Sequence, residues 1–202
     1  QSMLWVCFHF HPALVGILYL FYSDWDGGRY ASMPVFFVSM LHRHLHRTYI
    51  PNGMYFVTTN VRGWMPYFSN PCVAKILEKC IWWSRRIHRC IFYTYVIMPD
   101  HLHMLVGPTI TNISQILYAI KINSSRDIHK YIHSRGIDTS AMDGWFQWQQ
   151  SFYDHSIKDD RDLINHIEYI RNNPVKAGLV EQPEDYPFLF VDEDAVNRAL
   201  GL

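Results

Sequence analysis

His101 and His103 are a pair of residues whose type and spacing could do chemistry. They flank Leu102 inside an apolar run. Side chains two apart on a strand share a face, so the two imidazoles would project together and could chelate a metal. The plainer account is a half-exposed strand, whose two polar rings simply need partners or open water. Tyr169 and Asn173 form a second set. At about 100 degrees per residue, Leu163, Ile164, Ile167 and Ile170 fall on one apolar stripe of a helix, while Tyr169 and Asn173, one turn apart, sit together off it. That aims the phenol at a cleft or at solvent, beside an amide oxygen able to act as a third ligand. Read singly, the two are a surface tyrosine and a helix-end asparagine.

These residues need elements to hold them, and from Thr48 onward the sequence supplies them in order. Pro51-Asn52-Gly53 reads as a turn, and Met54 to Val61 as a first strand rich in aromatic and β-branched residues. Asn70-Pro71 opens a helix whose apolar positions Val73, Ile76, Leu77, Cys80 and Ile81 follow a 3.6-residue period. Cys90 to Met98 and His101 to Val106 read as adjacent central strands joined by a tight Pro99-Asp100 turn. A long helix is predicted from about Asn112 to His133, a fourth strand over Trp145 to Ile157, and a last helix from Asp159 or Asp160 to Asn173, with Pro174 and Gly178 marking its end. The order β-α-β-β-α-β-α predicts an α+β fold: a single-domain sandwich of a four- to five-stranded, mostly antiparallel sheet with helices packed on it.

Composition narrows the class less than the motifs do. The chain has 202 residues, enough for one domain with a true core. Acidic and basic side chains balance at 18 each, so bulk charge does not advertise nucleic acid, and any such argument must rest on local patches. Arg85, Arg86 and Arg89 form one basic cluster, and Lys121, Arg126 and Lys130 another on the long helix, though solvated helix faces account for both. Cys7, Cys72, Cys80 and Cys90 contain no CxxC pair and no zinc or disulfide spacing, which fits a reducing, cytoplasmic setting. The apolar stretch from Met3 to Tyr22 is interrupted by His9, His11 and Pro12 and lacks a preceding basic region, so it suits neither a membrane span nor a signal peptide. The sequence begins at Gln1, and Met33 or Met40 could be the natural start. Residues 1–47 are read as an N-terminal extension, 48–190 as the catalytic domain and 191–202 as a tail.

Three segments, PDHLHMLV, WQQSFYDHSI and HIEYIRNNPVKAGLV, closely resemble the corresponding parts of REP-associated tyrosine transposases, relatives of the small HUH single-tyrosine transposases. The resemblance covers about Thr48 to Phe190 in the family's order and leaves residues 1 to about 42 unmatched. It implies a ferredoxin-like HUH nuclease fold, with His101, His103 and Asn173 as ligands of Mg2+ or Mn2+ and Tyr169 as nucleophile. The implied activity is that of a single-stranded DNA transposase and endonuclease. It would cut and rejoin DNA at hairpin, REP-like sequences through a 5′-phosphotyrosine.

That reaction makes sense of the residue types. A divalent cation neutralises charge developing at phosphorus, and a phenol can attack in line and later be displaced by a free 3′-hydroxyl. The bond energy is conserved, in keeping with the lack of a Walker loop. Asp154, His155 and His166 are candidates for the base, and Trp148 and Phe152 for stacking on DNA bases, each with an ordinary structural role as its alternative. The implied partner is single-stranded hairpin DNA, with no membrane involvement and either a monomer or a homodimer at work. Two rivals are a DNA-binding relative that has lost turnover and a hydrolase that uses the histidine pair to activate water.

Overall fold

The structure is a computed structural model that describes residue 50, residues 53–140 and residues 145–202. The N-terminal extension, Cys7 and most of the Pro51-Asn52-Gly53 turn lie outside the described residues. The elements run β1 (Tyr55–Asn60), α1 (Pro71–His88), β2 (Ile91–Ile97), β3 (His101–Gly107), α2 (Ile113–Arg135), β4 (Tyr153–Ser156), α3 (Asp160–Lys176), β5 (Leu189–Val191) and α4 (Glu193–Leu200). The five strands form one sheet in the order β4-β1-β3-β2-β5, every neighbouring pair antiparallel. The α+β class expected from the element order is the one observed.

Local signals fix most boundaries. Asn70 caps α1 by accepting the Cys72 N–H, with Pro71 in the first turn where no donor is missed. Asn112 and Gln115 make a reciprocal capping box at the start of α2, and Gly136, at φ 57°, ends it in the left-handed conformation that glycine adopts without strain. Asp159 accepts the Asp162 N–H and opens α3. The hairpin between β2 and β3 closes over Pro99 and Asp100, where the Met98 N–H donates to the His101 carbonyl.

The sheet has a helix layer on each face. On one, α1 and α2 bury Val73, Leu77, Ile81, Ile113, Ile116 and Ile120 against Val57, Leu102 and Met104. On the other, α3 packs Leu163 and Ile170 against Phe56, Val96 and Leu105. Cross-strand register puts Thr58 opposite His103, Asn60 opposite His101 and His155 opposite Phe56, so all of these residues share the face that α3 covers.

Three elements differ from expectation. The predicted strand over Trp145 to Ile157 shortens to β4. Before it, Phe146 is wholly buried, the Trp148 indole N–H donates to Ser124, and Lys121 Nζ donates to the carbonyls of Gln149 and Ser151. The aromatic residues thus turn into the helix layer instead of alternating along a ladder. The last helix runs through Pro174 to Lys176, one turn past its expected end, and the Ala177 N–H donates to the Asn173 carbonyl. The sheet also continues past residue 190: β5 pairs with β2, and α4 follows with Ala195 and Val196 buried and Asp192 as its cap. The stretch read as a tail is therefore structured. No helix among the described residues is long and apolar enough to cross a membrane.

Candidate active site

The strand HLHMLVG buries everything except the half-exposed His101, and His103 itself is only 4% exposed. Each imidazole is held by its Nδ1. That of His101 lies 2.5 Å from Asp100 Oδ1, in the hairpin turn just before it. That of His103 lies 2.7 Å from Thr58 Oγ1, directly across the β1–β3 ladder. The two Nε2 atoms then face each other at 3.0 Å. The Asp100 carboxylate accepts from His101 Nδ1, which leaves Nε2 as the ring nitrogen turned toward His103. Burial, with His101 as a second cause, pushes the His103 imidazole down to a pKa of about 3, so the His103 ring is neutral near pH 7.

Two nitrogen donors converging at this distance match the chemistry of a divalent cation. Octahedral bonds of about 2.1 Å at right angles separate neighbouring donors by about 3.0 Å. Carboxylate and hydroxyl partners on the far ring nitrogens are also the usual support for histidine ligands, since they fix tautomer and ring orientation.

Tyr169 reaches this pair from above the sheet. Its helix is held down by Leu163 and Ile170, and the phenolic oxygen lies 3.5 Å from His103 Nε2. The Tyr169 ring meets His103 edge to face at 5.2 Å between centroids and Phe56 in the same manner at 5.7 Å. Phe56 stacks on His103 as well, and its ring also contacts His166. Lys176, two turns along the helix, carries its Nζ 5.6 Å from the centre of the Tyr169 ring. Asn173 is half-buried one turn beyond Tyr169 on the same helix.

Sequence reasoning picked out His101, His103 and Tyr169, which the structure brings together, but not their neighbours Thr58, Asp100, Phe56 and Lys176. Two of these had a signal available. Asp100 directly precedes the histidine pair, and Lys176 shares the helix face of Tyr169 at two-turn spacing. Asn60, cross-strand from His101, is a third omission. Its Oδ1 is buried without a hydrogen-bond partner among the described residues, while its amide nitrogen lies 3.5 Å from Gln149 Oε1.

The other candidates are more scattered. Arg85, Arg86 and Arg89 belong to α1 and its cap, and Lys121, Arg126 and Lys130 to α2, the two helices on the opposite face of the sheet. Arg85 lies 3.5 Å from Asp192 and over the Trp82 ring, and Arg126 pairs with Asp127. Lys121 holds the loop before β4, whereas Arg86, Arg89 and Lys130 are exposed. Trp148 and Phe152 pack against the core between sheet and helices. His155 of β4 meets Asp162 and His166 of the tyrosine helix, with ligating atoms within 4.8 Å of one another that could hold a metal ion.

Comparison with known proteins gives the family and its relatives. A family model described as IS200-like transposase matches residues 55–173, from the start of β1 to the turn after Tyr169. A protein named as a putative REP-associated tyrosine transposase from Haemophilus influenzae is 34% identical over 94 residues, 46% of this chain and 53% of that protein. The chain therefore spans about half the length of that relative. A REP-associated tyrosine transposase of Escherichia coli is 27% identical over 153 residues, 75% of this chain and 84% of the relative. A solved structure described as a REP-associated tyrosine transposase bound to a REP hairpin superposes with a TM-score of 0.58 at 27% identity, covering 76% of this chain and 85% of the other.

Proposed function

The chain belongs to the IS200-like transposase family, and from that premise we propose that it cleaves and rejoins single-stranded DNA at REP-like hairpins, with Tyr169 as nucleophile. The observation that carries this reading is the approach of the Tyr169 hydroxyl to within 3.5 Å of His103 Nε2, at the point where the two imidazoles converge. A hairpin substrate is supported by the REP hairpin in the complex of the structural relative.

His101 and His103 would hold Mg2+ or Mn2+ through Nε2, with Asn173 as a third donor. The cation supplies charge neutralisation on the non-bridging oxygens of the scissile phosphate. The chain's own residues do the rest. The Tyr169 oxygen attacks phosphorus, the O–P bond to the 3′ oxygen of the preceding nucleotide breaks, and the DNA 5′ end stays on the tyrosine as a phosphodiester. The phenolic proton leaves during attack, and the released 3′ oxygen takes up a proton. Rejoining is the same exchange in reverse, with a 3′-hydroxyl displacing the tyrosine. Lys176, beside the Tyr169 ring, would add a positive charge near the nucleophile. Arg86, Arg89 and Lys130, exposed on the far helices, would serve longer DNA if it wraps the domain.

Incubation of the protein with end-labelled single-stranded hairpin DNA and Mg2+ or Mn2+ tests the proposal. The expected product is a denaturant-resistant protein–DNA adduct that Tyr169→Phe cannot form. Cleavage that releases both DNA ends with no adduct at any time would instead mark a hydrolase that activates water.

A further inference from the structure

The sheet face under α3 carries a second group of ligating side chains that strand transfer does not use. His155 stands in the edge strand β4, while Asp162 and His166 lie one turn apart on α3. His155 Nε2 is 2.8 Å from Asp162 Oδ2, and His166 Nδ1 is 3.0 Å from Asp162 Oδ1. The two imidazoles lie nearly parallel, 4.9 Å between centroids and 19° between planes. A single carboxylate thus gathers one nitrogen from the strand and one from the helix, all within 4.8 Å of one another. The side chains are 27%, 20% and 22% exposed, so an ion can reach them and a water can complete its shell.

We propose that His155, Asp162 and His166 bind a zinc ion, separate from the cation at His101 and His103, that ties the tyrosine helix to the edge of the sheet. Two imidazoles and one carboxylate are a donor set suited to zinc, which takes nitrogen at about 2.0–2.1 Å and carboxylate oxygen at about 2.0–2.2 Å and keeps a water in the fourth position. A charged carboxylate beside two imidazoles favours zinc over magnesium, which prefers oxygen donors and holds most of its water. The helical pair at i and i+4 is preorganised, because both residues point from one face of α3. Only the side chain from β4 must hold its place, and the ladder with β1 does that.

The mechanical effect follows from position. Apolar contacts through Leu163 and Ile170 seat α3 on the sheet. Zinc would add a fixed point at the first turn, two turns before Tyr169, and so limit rolling of the helix that carries the phenol.

The test uses the full chain, stripped with chelator, in a His101→Gln/His103→Gln background that removes the nitrogen pair of β3. This variant, triad intact, is expected to bind one equivalent of Zn2+, to show the intense visible bands of tetrahedral Co2+ on cobalt substitution, and to unfold at a higher temperature with zinc than without. Adding His155→Gln or His166→Gln should weaken zinc binding by about a hundredfold or more, since loss of even an outer-shell partner costs 10–100-fold. Circular dichroism of the metal-free variants controls for folding. Failure of the intact-triad variant to take up zinc or to gain thermal stability would overturn the proposal. So would zinc binding that survives loss of both His155 and His166. Neither outcome depends on DNA cleavage.

Discussion

The phenolic oxygen of Tyr169 lies 3.5 Å from Nε2 of His103, the same nitrogen that stands 3.0 Å from Nε2 of His101. Nucleophile and ligand pair therefore meet at one point although they come from different layers of the fold. Tyr169→Phe removes the oxygen and leaves the ring contacts with Phe56 and His103 in place. It should fold and bind hairpin DNA like the wild type while cleavage falls at least about a thousandfold, the scale on which nucleophile removal acts elsewhere. Gel-shift and cleavage assays run on the same preparation separate the two effects.

Thr58 and Asp100 touch no substrate in this scheme, yet each fixes the ring nitrogen opposite the one that would bind metal. Thr58→Val and Asp100→Asn should weaken Mn2+ affinity by about 10–100-fold. Titration followed by the loss of the free Mn2+ electron spin resonance signal reads this directly. Cleavage at saturating Mn2+ should recover most of its wild-type rate, and a rate that stays low would show that these residues do more than hold the ligands.

Lys176→Gln removes the cation beside the Tyr169 ring. We expect cleavage to fall about tenfold, a change of about 1.4 kcal/mol in barrier. The log-log dependence of DNA binding on salt should become shallower by about one phosphate contact. An unchanged slope would mean that the lysine does not meet the backbone.

Burial pushes the thiols of Cys80 and Cys90 up to a pKa of about 11. At pH 8 the thiolate is then only about one part in a thousand, and the thiolate is the reactive form. Mass spectrometry after brief iodoacetamide treatment at pH 8 should find the exposed Cys72 alkylated and Cys80 and Cys90 spared. The same shifts have a stability consequence. Both folded-state values lie above the ordinary thiol value of 9.0, so their contribution is complete below pH 9 and is lost as pH rises through about 11. Cys80→Ala/Cys90→Ala should flatten the alkaline fall in unfolding temperature, whatever it costs in packing at neutral pH.

Much of this was legible in the chain because periodicity and caps record local physics. The Asn70 and Asn112 caps, the two-residue turn before His101 and the apolar stripe of α3 all carry their own signals. What escaped was decided at long range. The segment from Trp145 is as aromatic as a strand, but which way its rings turn depends on Ser124 and Lys121 of α2. Pro174 looked like a stop, yet helix continues past it to Lys176. Leu189 to Val191 is too short to show a period, and only pairing with β2 makes it a strand. The site divides likewise. Residues of special type on regular elements could be found, whereas Thr58 is an ordinary strand threonine until register sets it opposite His103.

Phe56 places one aromatic ring against both polar groups of this face, stacked on His103 and tilted against His166. Its circulating π electrons must therefore shift the imidazole proton resonances of both histidines, each by an amount set by ring geometry. Magnetic resonance of those few protons gives a ruler between the histidine pair and the zinc triad. Occupancy of either could then be watched from the other in the intact chain, without any label.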